Sequence, residues 1–365
     1  MFFRLIKGIL MTVRKIKTTE GGGLAVGRLP DGCGLCLEGA KLILFLTGLC
    51  RRRCFYCPLS EKRRGRDRVY ANERPVRGWH DIVREAEEME ALGTGITGGD
   101  PLLRFRRMLR YTRLLKRRFG REHHIHVYLC TPAPRERLRL MREAGVDEVR
   151  FHLFDPDPVR RALEVGLNAG IEIPALPGWE DRIIRLLRGL NGTEGAFVNL
   201  NELEFSETNA EALRRRGLRL RDDSDVAAAG SRECAERVIG WAAANTSLRV
   251  YFCPSRVKDS VQLRKRLIRK ALNIAKPHEE VNEDGLLFKG VVVGLRKGEL
   301  QRVRRYLLRK YGLRPWEIHI DRQKGRLELR WDLAERLAKS EKNLRFALVE
   351  EYPTYDRLET SFIPL

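Results

Sequence analysis

Three cysteines, Cys50, Cys54 and Cys57, fall close together in the run Thr47-Gly-Leu-Cys-Arg-Arg-Arg-Cys-Phe-Tyr-Cys-Pro58. Thiolates this near one another in a tight loop can turn inward onto one metal centre. A structural zinc site ordinarily takes four protein ligands, usually as two pairs. A fully ligated iron–sulfur cube also takes four cysteines. Three at this spacing, with no fourth in the same stretch, leave one coordination position open, as catalysis on a cluster requires. The competing reading is a zinc knuckle completed by a distant His or Cys. A second run, Gly98-Gly99-Asp100-Pro101, is too rich in chain breakers to be anything but a loop. Its glycines allow positive φ and close backbone approach.

The spacing C-x-x-x-C-x-x-C, with Tyr56 just before the last cysteine, resembles the signature of the radical SAM superfamily. In that family the motif follows the first strand of a partial βα barrel. The resemblance implies that Cys50, Cys54 and Cys57 hold three irons of a [4Fe-4S] cluster. The fourth iron would bind the amino and carboxylate groups of S-adenosylmethionine. An electron from the cluster would cleave its sulfur–C5′ bond, and the 5′-deoxyadenosyl radical would take hydrogen from a substrate. Members also carry a Gly-Gly-Glu-Pro-like turn after the second strand, facing the amino group of the bound S-adenosylmethionine. Gly-Gly-Asp-Pro stands in that place here, so Tyr56, Gly98, Gly99, Asp100 and Pro101 are the expected cofactor-binding residues. Asp100 is one carbon shorter than the family's Glu, which leaves its own role open. The stretch from Cys54 to Pro75, with Gly93-Thr-Gly-Ile-Thr-Gly-Gly, is similar to an archaeal group related to pyruvate formate-lyase activating enzyme. That likeness runs over residues 30–276 and does not name a substrate.

The elements that must position these residues are legible from the apolar pattern. Strands are expected at 41–47, 94–97, 124–131, 148–154, 171–176 and 196–205, with helices at 79–92, 134–144, 157–169 and 181–189. A very basic helix with Phe105, Met108, Leu109, Leu115 and Phe119 on its inner face follows the glycine turn. Alternation of this kind implies parallel strands joined by right-handed crossovers. The fold class is therefore α/β, a partial (β/α)6 barrel. Beyond it come a helix at 232–244, a strand at 249–253 and a long basic helix at 259–276. After a polar linker at 277–284 the order becomes βαββαβ, the small ferredoxin-like α+β arrangement. The expected domains are an N-terminal extension at 1–40, the barrel and its extension at 41–276, and the ferredoxin-like domain at 285–365.

Cys33 and Cys36 form a C-x-x-C pair before the first strand, while Cys234 and Cys253 lie far along the chain. Together they define a candidate second metal site, an auxiliary iron–sulfur cluster or zinc. The alternative places Cys130, Cys234 and Cys253 among buried apolar residues. Inside the barrel, His124, His126, Tyr128 and Cys130 share one strand face, Arg150, His152 and Phe154 another, and Asn199 and Asn201 a third. Either a bound ligand or mutual hydrogen bonding would satisfy them.

Composition bounds what the chain does. Its 365 residues are 43% apolar and 33% charged, enough to bury a core. The net charge is +22, and Arg supplies 55 of the 71 basic residues. Such a surface suits RNA, an acidic protein substrate, or an electron donor such as flavodoxin or ferredoxin. Arg104 to Arg121 is a basic run without an acid, and Arg302 to Lys310 is a second. Eight cysteines without a signal peptide point to thiolates in the reducing cytoplasm rather than a disulfide scaffold. No stretch is long and apolar enough for a membrane span. The apolar start, Met1 to Met11, reads as a packed segment, or Met11 as the natural start. The expected activity is radical generation from S-adenosylmethionine, in glycyl-radical activation or in RNA or protein modification. The non-enzyme rival is a nucleic-acid-binding protein that carries a cluster or zinc.

Overall fold

The structure, a computed structural model, describes residues 13–365, so the expected packed segment Met1–Met11 lies outside the described residues. The described residues divide into two compact units, 13–83 with 92–262, and 84–91 with 263–365.

The first unit is built on one sheet. Its strands are β1 (Ile16–Thr18), β2 (Leu24–Val26), β3 (Lys41–Thr47), β4 (Tyr70–Ala71), β5 (Arg74–Pro75), β6 (Gly93–Gly98), β7 (His124–Leu129), β8 (Glu148–Phe151), β9 (Asn168–Ala175), β10 (Phe197–Glu202) and β11 (Arg249–Cys253). Their order in space is β1-β2-β11-β10-β9-β8-β7-β6-β3-β4-β5. From β3 to β11 the neighbours are all parallel, which is the open α/β barrel expected from the alternating pattern. The sequence reading set 249–253 beyond six barrel strands; it pairs in parallel with β10 as a seventh. Strands β1 and β2, in a region that gave no strand signal, extend that edge as an antiparallel hairpin.

Helices cover the outside because their apolar stripes demand it. Leu42, Leu44 and Leu46 of β3 are fully buried, and helix Phe105–Phe119 turns Met108, Leu109 and Leu115 inward. The expected helix at 157–169 stops at Glu164, and Gly166, at φ +80°, turns the chain so that β9 starts at Asn168. The expected long helix at 259–276 is broken by a π-helical segment, Lys258–Leu263. Two arginines of the first basic run are not free surface. Arg104 and Arg107 bind Asp67 at 2.7 and 2.6 Å, and Lys116 binds Asp147 at 2.8 Å.

The second unit carries β12 (Glu280–Val281), β13 (Leu287–Val293), β14 (Ile318–Asp321), β15 (Arg326–Leu329), β16 (Arg345–Glu351) and β17 (Glu359–Pro364). The order β14-β15-β13-β16 and the helices Leu300–Lys310 and Trp331–Ser340 give the ferredoxin-like topology. Strand β17, which the sequence did not announce, adds an antiparallel edge beside β16. Val292, Leu307, Leu329, Leu337 and Phe346 form the core.

On this sheet Lys289, Glu328 and Glu351 are completely buried. Lys289 Nζ lies 2.5 Å from Glu279, 2.9 Å from Glu351 and 3.4 Å from Glu328. Arg357 binds Glu328 and Glu351, and Arg326 binds the same pair. Burial alone would raise the Glu351 carboxyl, but the charges of Lys289 and Arg326 override it and bring its pKa down to about 2. A depressed carboxylate stabilises fully above its ordinary value of 4.5, and that stabilisation is lost as pH falls towards about 2. The protection factors of the β13 and β16 amides, with the intrinsic pH dependence of exchange divided out, are therefore expected to fall steeply across that acid window and to be flat from pH 5 to 7. Lys289→Ala, which removes the buried cation that Glu279, Glu328 and Glu351 share, is expected to cost about 3–5 kcal/mol in denaturant unfolding.

Candidate active site

The cysteine loop begins where β3 ends, and the glycine turn at the end of the neighbouring parallel strand β6 grips it. The Gly99 amide donates to the Thr47 carbonyl at 2.7 Å, and the Asp100 amide donates to the Leu49 carbonyl at 2.7 Å. Only glycine allows this approach. A Cβ on Gly99 would stand 2.1 Å from the Leu49 oxygen, and one on Gly98, whose φ is +132°, would stand 2.3 Å from the Thr47 oxygen. Asp100 is buried in the turn itself. One carboxylate oxygen accepts from the Leu102 amide at 3.1 Å and the other from Thr131 Oγ1 at 2.6 Å. Pro101 then opens the short 3-10 turn Pro101–Arg104.

Further ties hold the loop. Thr47 Oγ1 donates to Asp67 at 2.9 Å, and hydrogen bonds from Arg107 and Arg104 hold that carboxyl well below the usual range. Asn209 Nδ2 donates to the Tyr56 carbonyl and Thr208 Oγ1 to the Cys57 carbonyl, both at 3.2 Å. The Tyr56 ring packs into an apolar cluster with Phe55, Trp179 and Leu203. Burial first, and the nearby Cys54 second, raise its phenol pKa.

Cys50 is exposed, and Cys54 and Cys57 are half-buried, so the three thiols remain within reach of a ligand. Cys130, at the end of β7, stands beside them. Its thiol stands 3.0 Å from the Gly99 carbonyl and can turn its single proton instead onto the Cys50 sulfur. That bond, with a smaller one from the Arg52 amide, lowers the Cys50 pKa to about 6. A thiol already ionised near neutral pH is primed as a soft-metal ligand. The donor set, its exposure and this activation therefore fit a cluster held by three cysteines.

Behind the loop the barrel encloses a cavity of about 300 Å³. Its polar hub is Glu172, a lone acid in the apolar run of β9 that sequence reasoning passed over. Glu172 accepts from Arg150 at 2.8 Å, Asn201 at 3.0 Å and Asn199 at 3.1 Å. Arg150 also binds Glu148 at 2.6 Å, so the buried guanidinium is shared between two carboxylates. Tyr128 stacks on His152 at 5.3 Å, and burial lowers the pKa of His126 and His152, leaving both imidazoles neutral. The helix Asp31–Leu37 places Cys33 and Cys36 on the same cavity, and Cys253 joins them there. Cys234 stands apart, buried, with its sulfur donating to the Leu176 carbonyl at 3.3 Å.

Residues 44–187 match the family model described as the radical SAM superfamily, and a 38% identical relative covers 93% of the chain; the chain belongs to that superfamily. The relative, aligned over 360 residues and 93% of its own length, is a Methanocaldococcus jannaschii protein named as a candidate glycyl-radical enzyme activating enzyme. Residues 285–365 match a model described as a domain of unknown function, DUF8061. Among solved structures, methylornithine synthase is similar with a TM-score of 0.40 at 15% identity, over 58% of this chain and 70% of that one. A radical SAM methyltransferase from Sphaerobacter thermophilus gives 0.39 at 16% identity, over 68% and 76%. No helix among the described residues is long and apolar enough to cross a membrane.

Three substitutions probe the loop. Gly99→Ala forces its Cβ onto the Leu49 carbonyl, and iron uptake on anaerobic reconstitution is expected to fall sharply while the far-ultraviolet dichroism stays close to that of the parent. Cys130→Ala is expected to leave the iron content unchanged, whereas Cys50→Ala removes it; colorimetric iron and sulfide assays read both.

Proposed function

We propose that Cys50, Cys54 and Cys57 hold a [4Fe-4S] cluster, that Tyr56 and the Gly98–Pro101 turn shape the S-adenosylmethionine site, and that the chain activates a partner protein by removing hydrogen from a glycine Cα. When bound, the cluster and S-adenosylmethionine supply the electron and the 5′-deoxyadenosyl radical that this chemistry needs. The observation that carries the reading is the clasp: an accessible set of three thiols whose loop Gly99 and Asp100 fix to the mouth of a barrel. Kinship to a relative named for glycyl-radical enzyme activation, alike over 93% of both chains, supports the substrate class.

The chain's own residues would do the positioning. Glu172, Asn199 and Asn201 offer the carboxylate and amide groups that an extended peptide backbone can bind, and Arg150 fixes Glu172 in place. The cavity suits a short loop of a partner rather than a folded domain. Neutral His126 and His152 add no charge to the hydrogen-transfer site. An acidic flavodoxin or ferredoxin suits the +22 chain as electron donor.

RNA is the second substrate reading, favoured by Arg302, Arg305, Arg309 and Lys310, which line one hollow on helix Leu300–Lys310. One experiment separates the two. The anaerobically reconstituted, reduced protein is given S-adenosylmethionine with either a glycyl-radical enzyme whose glycines carry deuterium at Cα, or total RNA. Deuterium entering 5′-deoxyadenosine from the protein, with a glycyl radical in the electron paramagnetic resonance spectrum, is the expected result. Cleavage stimulated only by RNA would overturn it, and no 5′-deoxyadenosine at all would reject the enzymatic reading.

A further inference from the structure

The barrel cavity contains a chemistry that substrate positioning does not use. Cys33 and Cys36 sit one turn apart on helix Asp31–Leu37, and Cys253 ends β11; all three line the cavity. Cys33 and Cys253 pack in one cluster with Ala25, Tyr251 and Val257. Sequence separation makes this convergence costly to form, since residues 33 and 253 come from opposite ends of the barrel.

The surroundings of these thiols set them apart from ordinary buried cysteine. Burial raises the pKa of all three, and Arg150, Lys41 and Lys258 offset only part of that rise. Two of the sulfurs also accept side-chain amide hydrogen bonds, Cys33 from Asn199 at 3.3 Å and Cys253 from Gln262 at 3.8 Å. Such outer contacts orient and tune thiolate ligands. Asn199, only 2% exposed, meanwhile leaves its own Oδ1 without a partner beside this cavity. Cys234 is the internal contrast. It is buried too, yet its sulfur donates to a backbone carbonyl and it lies outside the cavity.

The helix is also fitted for the purpose. A Cβ on Gly32 would stand 2.5 Å from His126 Nδ1 and 2.6 Å from Arg150 Nη2, so glycine lets the helix seat against the barrel and carry Cys33 inward.

We propose that Cys33, Cys36 and Cys253 form a second metal site inside the barrel, a three-thiolate set for a thiophilic metal, zinc or a small iron–sulfur cluster, separate from the Cys50–Cys57 loop. Three protein ligands leave a coordination position for a substrate atom, the open arrangement of catalytic rather than structural metal sites. The site goes beyond the proposed activation chemistry and stands whether or not that chemistry is right.

The test uses the full chain with Cys50, Cys54 and Cys57 replaced by Ala, so that the first loop contributes no metal. In one arm the reduced protein is dialysed against zinc chloride; in the other it is reconstituted with ferrous iron and sulfide. Bound metal is counted by mass spectrometry of the elements. Retention of metal in one arm, lost on further Cys33→Ser with Cys36→Ser and kept with Cys234→Ser, is expected, and the arm that loads identifies the metal. Cobalt(II) titration of the same protein provides a readout free of the additional substitutions: a thiolate-to-cobalt charge-transfer band supports the site. No metal in either arm, no such band, metal unaffected by the paired serines, or a Cys33–Cys253 disulfide in non-reducing peptide mapping overturns it. Loss of 5′-deoxyadenosine formation in the parent chain, by contrast, would count against the first loop and not against this site.

Discussion

Two backbone hydrogen bonds, from Gly99 to Thr47 and from Asp100 to Leu49, are the constraint on which the site depends. They join the ends of two parallel strands at a distance that no side chain on Gly98 or Gly99 would tolerate. Through them the loop of thiols inherits the rigidity of the sheet, and Cys130, one strand further on, stands beside both Cys50 and the Gly99 carbonyl. The Asp for Glu difference becomes intelligible in this geometry. The shorter carboxylate folds back onto Leu102 and Thr131 and completes the turn.

The barrel interior follows a second rule, that buried charge must be paired and hydrogen-bonded. Arg150 lies between Glu148 and Glu172, and Glu172 is capped by Asn199 and Asn201. The set spans three neighbouring strands, with Glu148 and Arg150 on β8, Glu172 on β9, and Asn199 and Asn201 on β10, so it also records the strand register: Arg150 pairs with Gly170, and Asn199 with Glu172, across the ladder. Chains of this kind hold a cavity open by satisfying its walls from within.

What was legible in the sequence was local. The cysteine spacing, the glycine turn and the helix–strand alternation are carried by neighbours in the chain, and the fold class and superfamily membership stood up on them. The inward faces of β7, β8 and β10 followed from the two-residue period. Glu172 did not, because a single acid in Ile-Glu-Ile carries no signal until Arg150 is found beside it on the neighbouring strand. Helix Asp31–Leu37 escaped notice because Gly32 and Gly34 depress its propensity; tertiary packing against His126 and Arg150 decides it. In the second unit the alternating Lys289, Glu328 and Glu351 mimic a wet strand face, and only their cross-strand pairing makes that face dry. The first basic run read as surface charge, yet Asp67 and Asp147, distant in sequence, neutralise part of it.

The cysteine loop is hung from hooks made at very different moments of synthesis. Asp67 follows it within a few residues, but Thr208 and Asn209, which hold the carbonyls of Cys57 and Tyr56, are translated some 150 residues later. A ribosome-bound chain that has not yet reached the sixth parallel strand and the loop after it carries three bare thiols on an unfinished tether. Maturation is thereby ordered in time: more than half of the 365-residue polypeptide must be made before the cysteine loop has a settled shape to offer a metal, and until then those sulfurs stand open to oxidation.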